Sequence, residues 1–117
     1  MESLELRIAI PERFFEGEVA GGIKNFRNFL EEKRKIIVKQ GERRQKILVA
    51  CKSLGVLESM KRLFEEAEIS FIVLSKLEDI KELSSKYIGL CVFELSEGFE
   101  TGELLVIADE MIIGRQS

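Results

Sequence analysis

The uninterrupted apolar run Ile47-Leu48-Val49-Ala50-Cys51 constrains the fold more than any other stretch of the chain. A strand with one wet face alternates apolar and polar residues, whereas a continuous run marks a strand covered on both faces, as in a parallel sheet between helices. The residues beyond Cys51 keep the same rhythm. Ser53 is placed to cap a helix whose Leu57, Met60, Phe64 and Ala67 share one side. Ile69 to Leu74 reads as a second covered strand. Ser75 with Glu78 makes a capping-box pattern ahead of Leu77, Ile80, Leu83 and Tyr87 at helical spacing. Ile88 to Leu95 is expected to be a third strand and Leu104 to Ala108 a fourth. A strand–helix–strand–helix–strand–strand order implies right-handed crossovers. The expected fold is therefore α/β: a small Rossmann-like layered domain with a mostly parallel sheet flanked by helices.

Residues 1–45 lead into this 46–117 core, and 117 residues make one domain. Leu4, Leu6, Ile8 and Ile10 alternate with polar residues as in a half-buried edge strand, which Pro11 ends. Glu12 to Gly22 reads as an ordered connection. From Ile23 the period turns helical through Phe26, Leu30 and Ile37, with Phe29 widening the apolar face and Gly41 as the stop.

Composition removes several function classes. A net charge of −3 is not the field of a free-standing nucleic-acid binder. The apolar runs fall far short of the ~20 residues that span a bilayer. The acidic, alternating start Met1-Glu2-Ser3-Leu4-Glu5 is not a signal peptide, so a cytoplasmic, membrane-free setting is expected. Cys51 and Cys91 lie apart in apolar strands and histidine is absent, which points to two buried thiols and no zinc site.

Open α/β sheets bind ligands beyond the carboxyl ends of their strands. There the chain offers Cys51-Lys52-Ser53-Leu54-Gly55, then Ser75-Lys76, then Ser96-Glu97-Gly98, without a dinucleotide fingerprint or a carboxylate cluster. Gly17 and Gly22 have P-loop glycine spacing, but Ile23 stands where that loop needs lysine, and a glycine-rich turn entering a helix explains them better. Glu31-Glu32 and Glu65-Glu66 diverge on helices. Asp109-Glu110 ends a strand and has no visible partner. No catalytic, cofactor-binding or metal-binding residue is assigned.

The one local charge bias is Lys33, Arg34, Lys35, Lys39, Arg43, Arg44 and Lys46. It could contact phosphate backbones without reading sequence. A solvated helix end complementing its dipole accounts for it more simply, and no aromatic residues interleave to stack bases. Phe99 reads either as an exposed contact point or as a side chain folded over the sheet edge.

The stretch Lys46 to Cys51, then Leu57 to Ala67 and Ile69 to Leu74, resembles a region of bacterial transcription-repair coupling factors. So do Ser96-Glu97-Gly98-Phe99 and Leu104 to Gly114, where a Gly-Phe motif precedes a last strand ending in Glu110, Ile112, Ile113 and Gly114. Leu4 to Leu30 looks like the lead-in. The region lies between the part similar to the excision-repair helicase subunit and the RNA-polymerase-binding domain. Family members often carry an aromatic residue where Ile113 stands, and residues 39–44 align with nothing securely.

The resemblance implies an excised piece of an ATP-driven double-stranded-DNA translocase, a hydrolase that removes stalled RNA polymerase and recruits nucleotide excision repair. ATP and magnesium would belong to motor domains outside this chain. Its implied partners are other domains of the parent and, through them, RNA polymerase, UvrA and duplex DNA. The domain itself is expected to be a non-catalytic, monomeric packing module. Two other readings remain: a stand-alone Rossmann-like domain holding a small ligand or nucleotide, and a DNA-contacting module using the Lys33–Lys46 cluster.

Overall fold

A computed structural model describes residues 10–17, 19–40 and 45–114, with the side chains of residues 19, 20 and 36–40 outside the description. The elements are α1 (Val19–Gln40), β1 (Lys46–Cys51), α2 (Leu54–Glu66), β2 (Phe71–Val73), a 3-10 helix (Leu77–Glu82), β3 (Ile88–Val92), β4 (Phe99–Glu100), β5 (Leu104–Ala108) and α3 (Glu110–Ile113). The strands form one sheet in the order β2-β3-β1-β5-β4. All neighbours are parallel except β4 and β5. The mostly parallel α/β architecture expected from the sequence is present.

β1 is the central strand, and the absence of polar residues in its run follows from that position. Ile47, Val49 and Cys51 face a core built with α1 and α2, while Leu48 and Ala50 face a smaller one closed by Leu74, Leu83, Cys91 and Val106. A chain of ring contacts stitches the larger core. Phe14 meets Phe26 at 5.2 Å, Phe26 meets Phe64 at 5.9 Å, and Phe64 meets Phe71 at 5.9 Å, linking the connection, both long helices and β2. Such pairs stabilise by about 0.5–1.5 kcal/mol beyond the area they bury.

Ser53 caps α2 as its sequence position implies, its Oγ accepting the Val56 N–H at 3.2 Å. Leu57, Met60 and Phe64 are buried on the side facing the sheet. α1 begins at Val19 rather than at Ile23, so Gly21 and Gly22 are helical. Gly22 is there for contact: a Cβ on it would strike the Ile112 carbonyl oxygen of α3. The helix tolerates the weak former because α3 packs at that point. The strand expected over Leu4–Ile10 lies outside the described residues except for Ile10, whose side chain packs half-buried against the larger core.

Three expectations are corrected. Ile69–Leu74 is not a covered strand: β2 has three residues at the sheet edge, with Ile72 and Val73 each 41% exposed. β3 inserts between β1 and β2, which leaves β2 with a neighbour on one side only among the described residues. The helix expected after Ser75 is a short 3-10 helix, without a side-chain cap; Ser75 Oγ donates instead to Asp79 Oδ2 at 3.0 Å. It ends so that Leu83 can drop onto Gly89, where a Cβ would lie 2.9 Å from the leucine's methyl carbon. Tyr87 is left exposed. The third strand stops at Val92, and the two-residue β4 follows, antiparallel to β5. Gly98 admits it, since a Cβ there would collide with the Val106 carbonyl oxygen. Phe99 pairs in register with Val106 and is exposed.

No helix among the described residues is long and apolar enough to cross a membrane.

Candidate functional site at the carboxyl edge of the sheet

Because β1, β2, β3 and β5 run parallel, their carboxyl ends share one edge. Buried polar contacts organise it. Asp109, at the end of β5, is buried; its N–H donates to Ala50 O at 3.0 Å and its Oδ2 accepts the Lys52 N–H at 2.9 Å. Its carbonyl accepts the Ile112 and Ile113 N–H groups, both at 3.0 Å. The Phe93 N–H donates to Cys51 O at 2.8 Å. The partnerless Asp109 expected from the sequence is therefore corrected: the carboxylate fixes the turn out of β1 to the turn out of β5. Glu110, half-buried beside it, is engaged as well.

Four apolar side chains are exposed along this edge, among polar ones that include Ser53, Ser75, Lys76 and Glu94. Leu54 follows β1, Val73 ends β2, and Val92 and Phe93 end β3; all four are exposed, Leu54 to 65%. Beside them a groove of about 570 Å³ runs along α2 to Ile113 of α3, with Lys52, Ser53, Ser59 and Arg62 on its wall. The Ser53 hydroxyl already accepts from Val56, and Arg62 Nη2 lies 3.5 Å from Ser59 Oγ.

The thiols are poor nucleophiles here. Burial, with lesser contributions from Asp109 and Cys91, pushes Cys51 up to about 12. Burial and then Asp79 raise Cys91 as well. Thiolate, the reactive form, is scarce in such surroundings at neutral pH. Among the described residues no three His, Cys, Asp or Glu side chains gather as metal ligands.

The basic residues do not assemble into one stripe among the described positions. Lys33, offered by the sequence as a phosphate contact, is only 4% exposed and donates to Glu100 Oε2 at 2.7 Å, with its Nζ 5.9 Å from the Phe29 ring centre. Spacing could have revealed this, because Lys33 continues the apolar stripe of Ile23, Phe26 and Leu30. Arg34 is half-buried and engaged. Lys35 is exposed, 3.8 Å from Glu32. Lys46 donates to the Ile80 and Lys81 carbonyls at 2.9 and 2.8 Å, tying β1 to the 3-10 helix. The Lys39 side chain and all of Arg43 and Arg44 lie outside the described residues. Gly17, with φ +86°, and Gly22 sit at a turn and at a helix contact respectively. The chain matches no protein-family description, no curated protein and no solved structure.

Proposed function

We propose that this chain is a non-catalytic interaction domain of a transcription-repair coupling factor, a module that packs against neighbouring parts of an ATP-driven duplex-DNA translocase. The observation that carries the reading is the carboxyl edge itself. Where α/β enzymes of this architecture gather polar reacting groups, Leu54, Val73, Val92 and Phe93 are exposed and the buried carboxylate of Asp109 is committed to the Lys52 backbone. Exposed apolar side chains grouped at one edge and interspersed with polar ones suit protein contact. The resemblance carried by Lys46–Cys51, Gly98-Phe99 and Leu104–Gly114 supplies the family. In the parent, ATP and magnesium belong to the motor, and RNA polymerase, UvrA and DNA are reached through other domains.

ATP hydrolysis by the purified chain, with and without duplex DNA, tests this. No turnover is expected; turnover that DNA stimulates overturns the proposal.

The groove beside α2 favours one further reading, a small-ligand domain. A nucleotide seated there at 100 times its dissociation constant stabilises the fold by about 2.7 kcal/mol. A thermal-shift screen that stays flat across nucleotides supports the interaction domain, and a clear shift supports the ligand site.

A further inference from the structure

The groove along α2 lies at the carboxyl end of β1, the central strand, where open α/β sheets receive small ligands. Its volume, about 570 Å³, is in the small-molecule range. Its walls are of two kinds. Val56, Leu63 and Ile113 form an aliphatic side, and among the described residues no aromatic ring lines it, so a nucleobase finds nothing to stack on. Lys52, Ser59 and Arg62 form a cationic side. Neither Lys52 nor Arg62 has an acidic partner among the described residues. The neighbouring Asp109 carboxylate is committed to the Lys52 backbone N–H and makes no ion pair with its ammonium. Helical side chains lean toward the amino end of their helix, and the Arg62 guanidinium does so, reaching one turn back to within 3.5 Å of Ser59 Oγ. That brings its charge toward Lys52, just ahead of α2. It also turns the charge away from Glu66, the acid at the last position of the helix. Positive charge is thus gathered at one end of the groove.

We propose that this groove binds a small aliphatic anion, a carboxylate or phosphomonoester whose head group sits between Lys52 and Arg62 and whose hydrocarbon body lies along Val56, Leu63 and Ile113. The proposal rests on the small-ligand reading of the groove and leaves the apolar edge beside it for a partner. Charge selects the head. A half-buried lysine without a counter-ion gains most from an anion. Arg62 adds a planar fork that matches carboxylate and phosphate oxygens alike, and Ser59 a hydroxyl beside it. The aliphatic wall selects the body. A hydrocarbon chain gains from every methylene it hides and brings no polar group that Val56, Leu63 and Ile113 would leave unpaired. A neutral or cationic amphiphile satisfies the aliphatic side alone.

Titrating the full chain with butanoate, hexanoate, octanoate, octyl phosphate, octylamine and octanol, each below its micelle-forming concentration, reads the outcome by calorimetry and amide NMR. Saturable binding of one anion per chain is expected, with shifts at Gly55, Ser59 and Ile113. Affinity should rise by up to roughly fourfold per added methylene. Octylamine and octanol should bind roughly tenfold more weakly than octanoate, having lost both cations. Lys52→Gln and Arg62→Gln should each weaken octanoate binding about two- to fivefold with circular dichroism unchanged. Lys76→Gln, on the same edge but outside the groove, should not weaken it. The tighter of octanoate and octyl phosphate identifies the head group. Octylamine or octanol binding as tightly as octanoate, or anion binding indifferent to both groove variants, overturns the anionic class and leaves the small-ligand reading standing. Shifts confined to Val73, Val92 and Phe93 overturn the groove as well, as do flat titrations with every probe.

Discussion

The ammonium of Lys33 on α1 and the carboxylate of Glu100 on β4 meet at 2.7 Å, with side-chain exposures of 5% and 18%. The pair joins the longest helix to the shortest strand, across a distance of 67 residues in sequence. Replacing Glu100 with Ala leaves a buried cation without a counter-charge and should cost about 3–5 kcal/mol in urea unfolding. The double change Lys33→Met with Glu100→Leu should recover most of that loss, because an apolar pair of similar volume has no charge to desolvate. A single and a double variant of equal stability would contradict this account.

Asp109 makes a second separable prediction. Asp109→Ala leaves the Lys52 N–H without its acceptor, a loss of about 1–3 kcal/mol. Asp109→Asn keeps an oxygen in place and should lose less. The order wild type, Asn, Ala in chemical denaturation checks the role; equal losses would mean that the carboxylate's geometry is not what matters.

Adjacent glycines in α1 should respond in opposite directions. Gly21 has nothing within 4 Å of where a Cβ would stand, so Gly21→Ala should stabilise by about 0.5–1 kcal/mol through helix propensity. Gly22→Ala drives a methyl into the Ile112 carbonyl and should destabilise by about 1–3 kcal/mol. Thermal melts of the two variants decide it.

Cys51 gives a pH dependence. Its folded-state value is raised from 9.0 to about 12, so the folded form holds the proton more tightly than the unfolded one. The associated stability is whole below pH 9 and declines as pH rises from 9 toward 12. Cys91 shifts in the same direction. Cys51→Val should flatten that decline in urea midpoints measured across the alkaline range. At pH 8 the native protein should react with a thiol reagent far more slowly than the denatured one.

Elements that leave a pattern in their own residues were legible. The Ile47–Cys51 run announced a strand covered on both faces, and Ser53 announced the start of α2, because continuous burial and capping each leave a local pattern. What failed depended on strand order. Ile69 to Leu74 is as apolar as β1, yet it lies at the edge, and nothing in its own residues says that Ile88–Val92 comes between. The brevity of the 3-10 helix likewise depends on Gly89 in another strand. At the site, the apolar character of Leu54, Val92 and Phe93 could be read directly, but the partner of Asp109 could not, since a backbone N–H carries no residue signature. Lys33 was readable and misleading: its charge drew attention, while its helical spacing held the answer.

The placement of β1 between β3 and β5 has a consequence for biogenesis. The middle of the sheet is synthesised ahead of both strands that flank it, and its second flank is complete only when Ala108 has been made. Local helix formation can proceed early, but the long-range pairings must wait, and such topologies are slow and exposed while they wait. A nascent chain carrying β1 alone thus presents its most adhesive segment bare, and a chaperone that shields Ile47–Cys51 on the ribosome would raise the yield of folded domain more than one acting later.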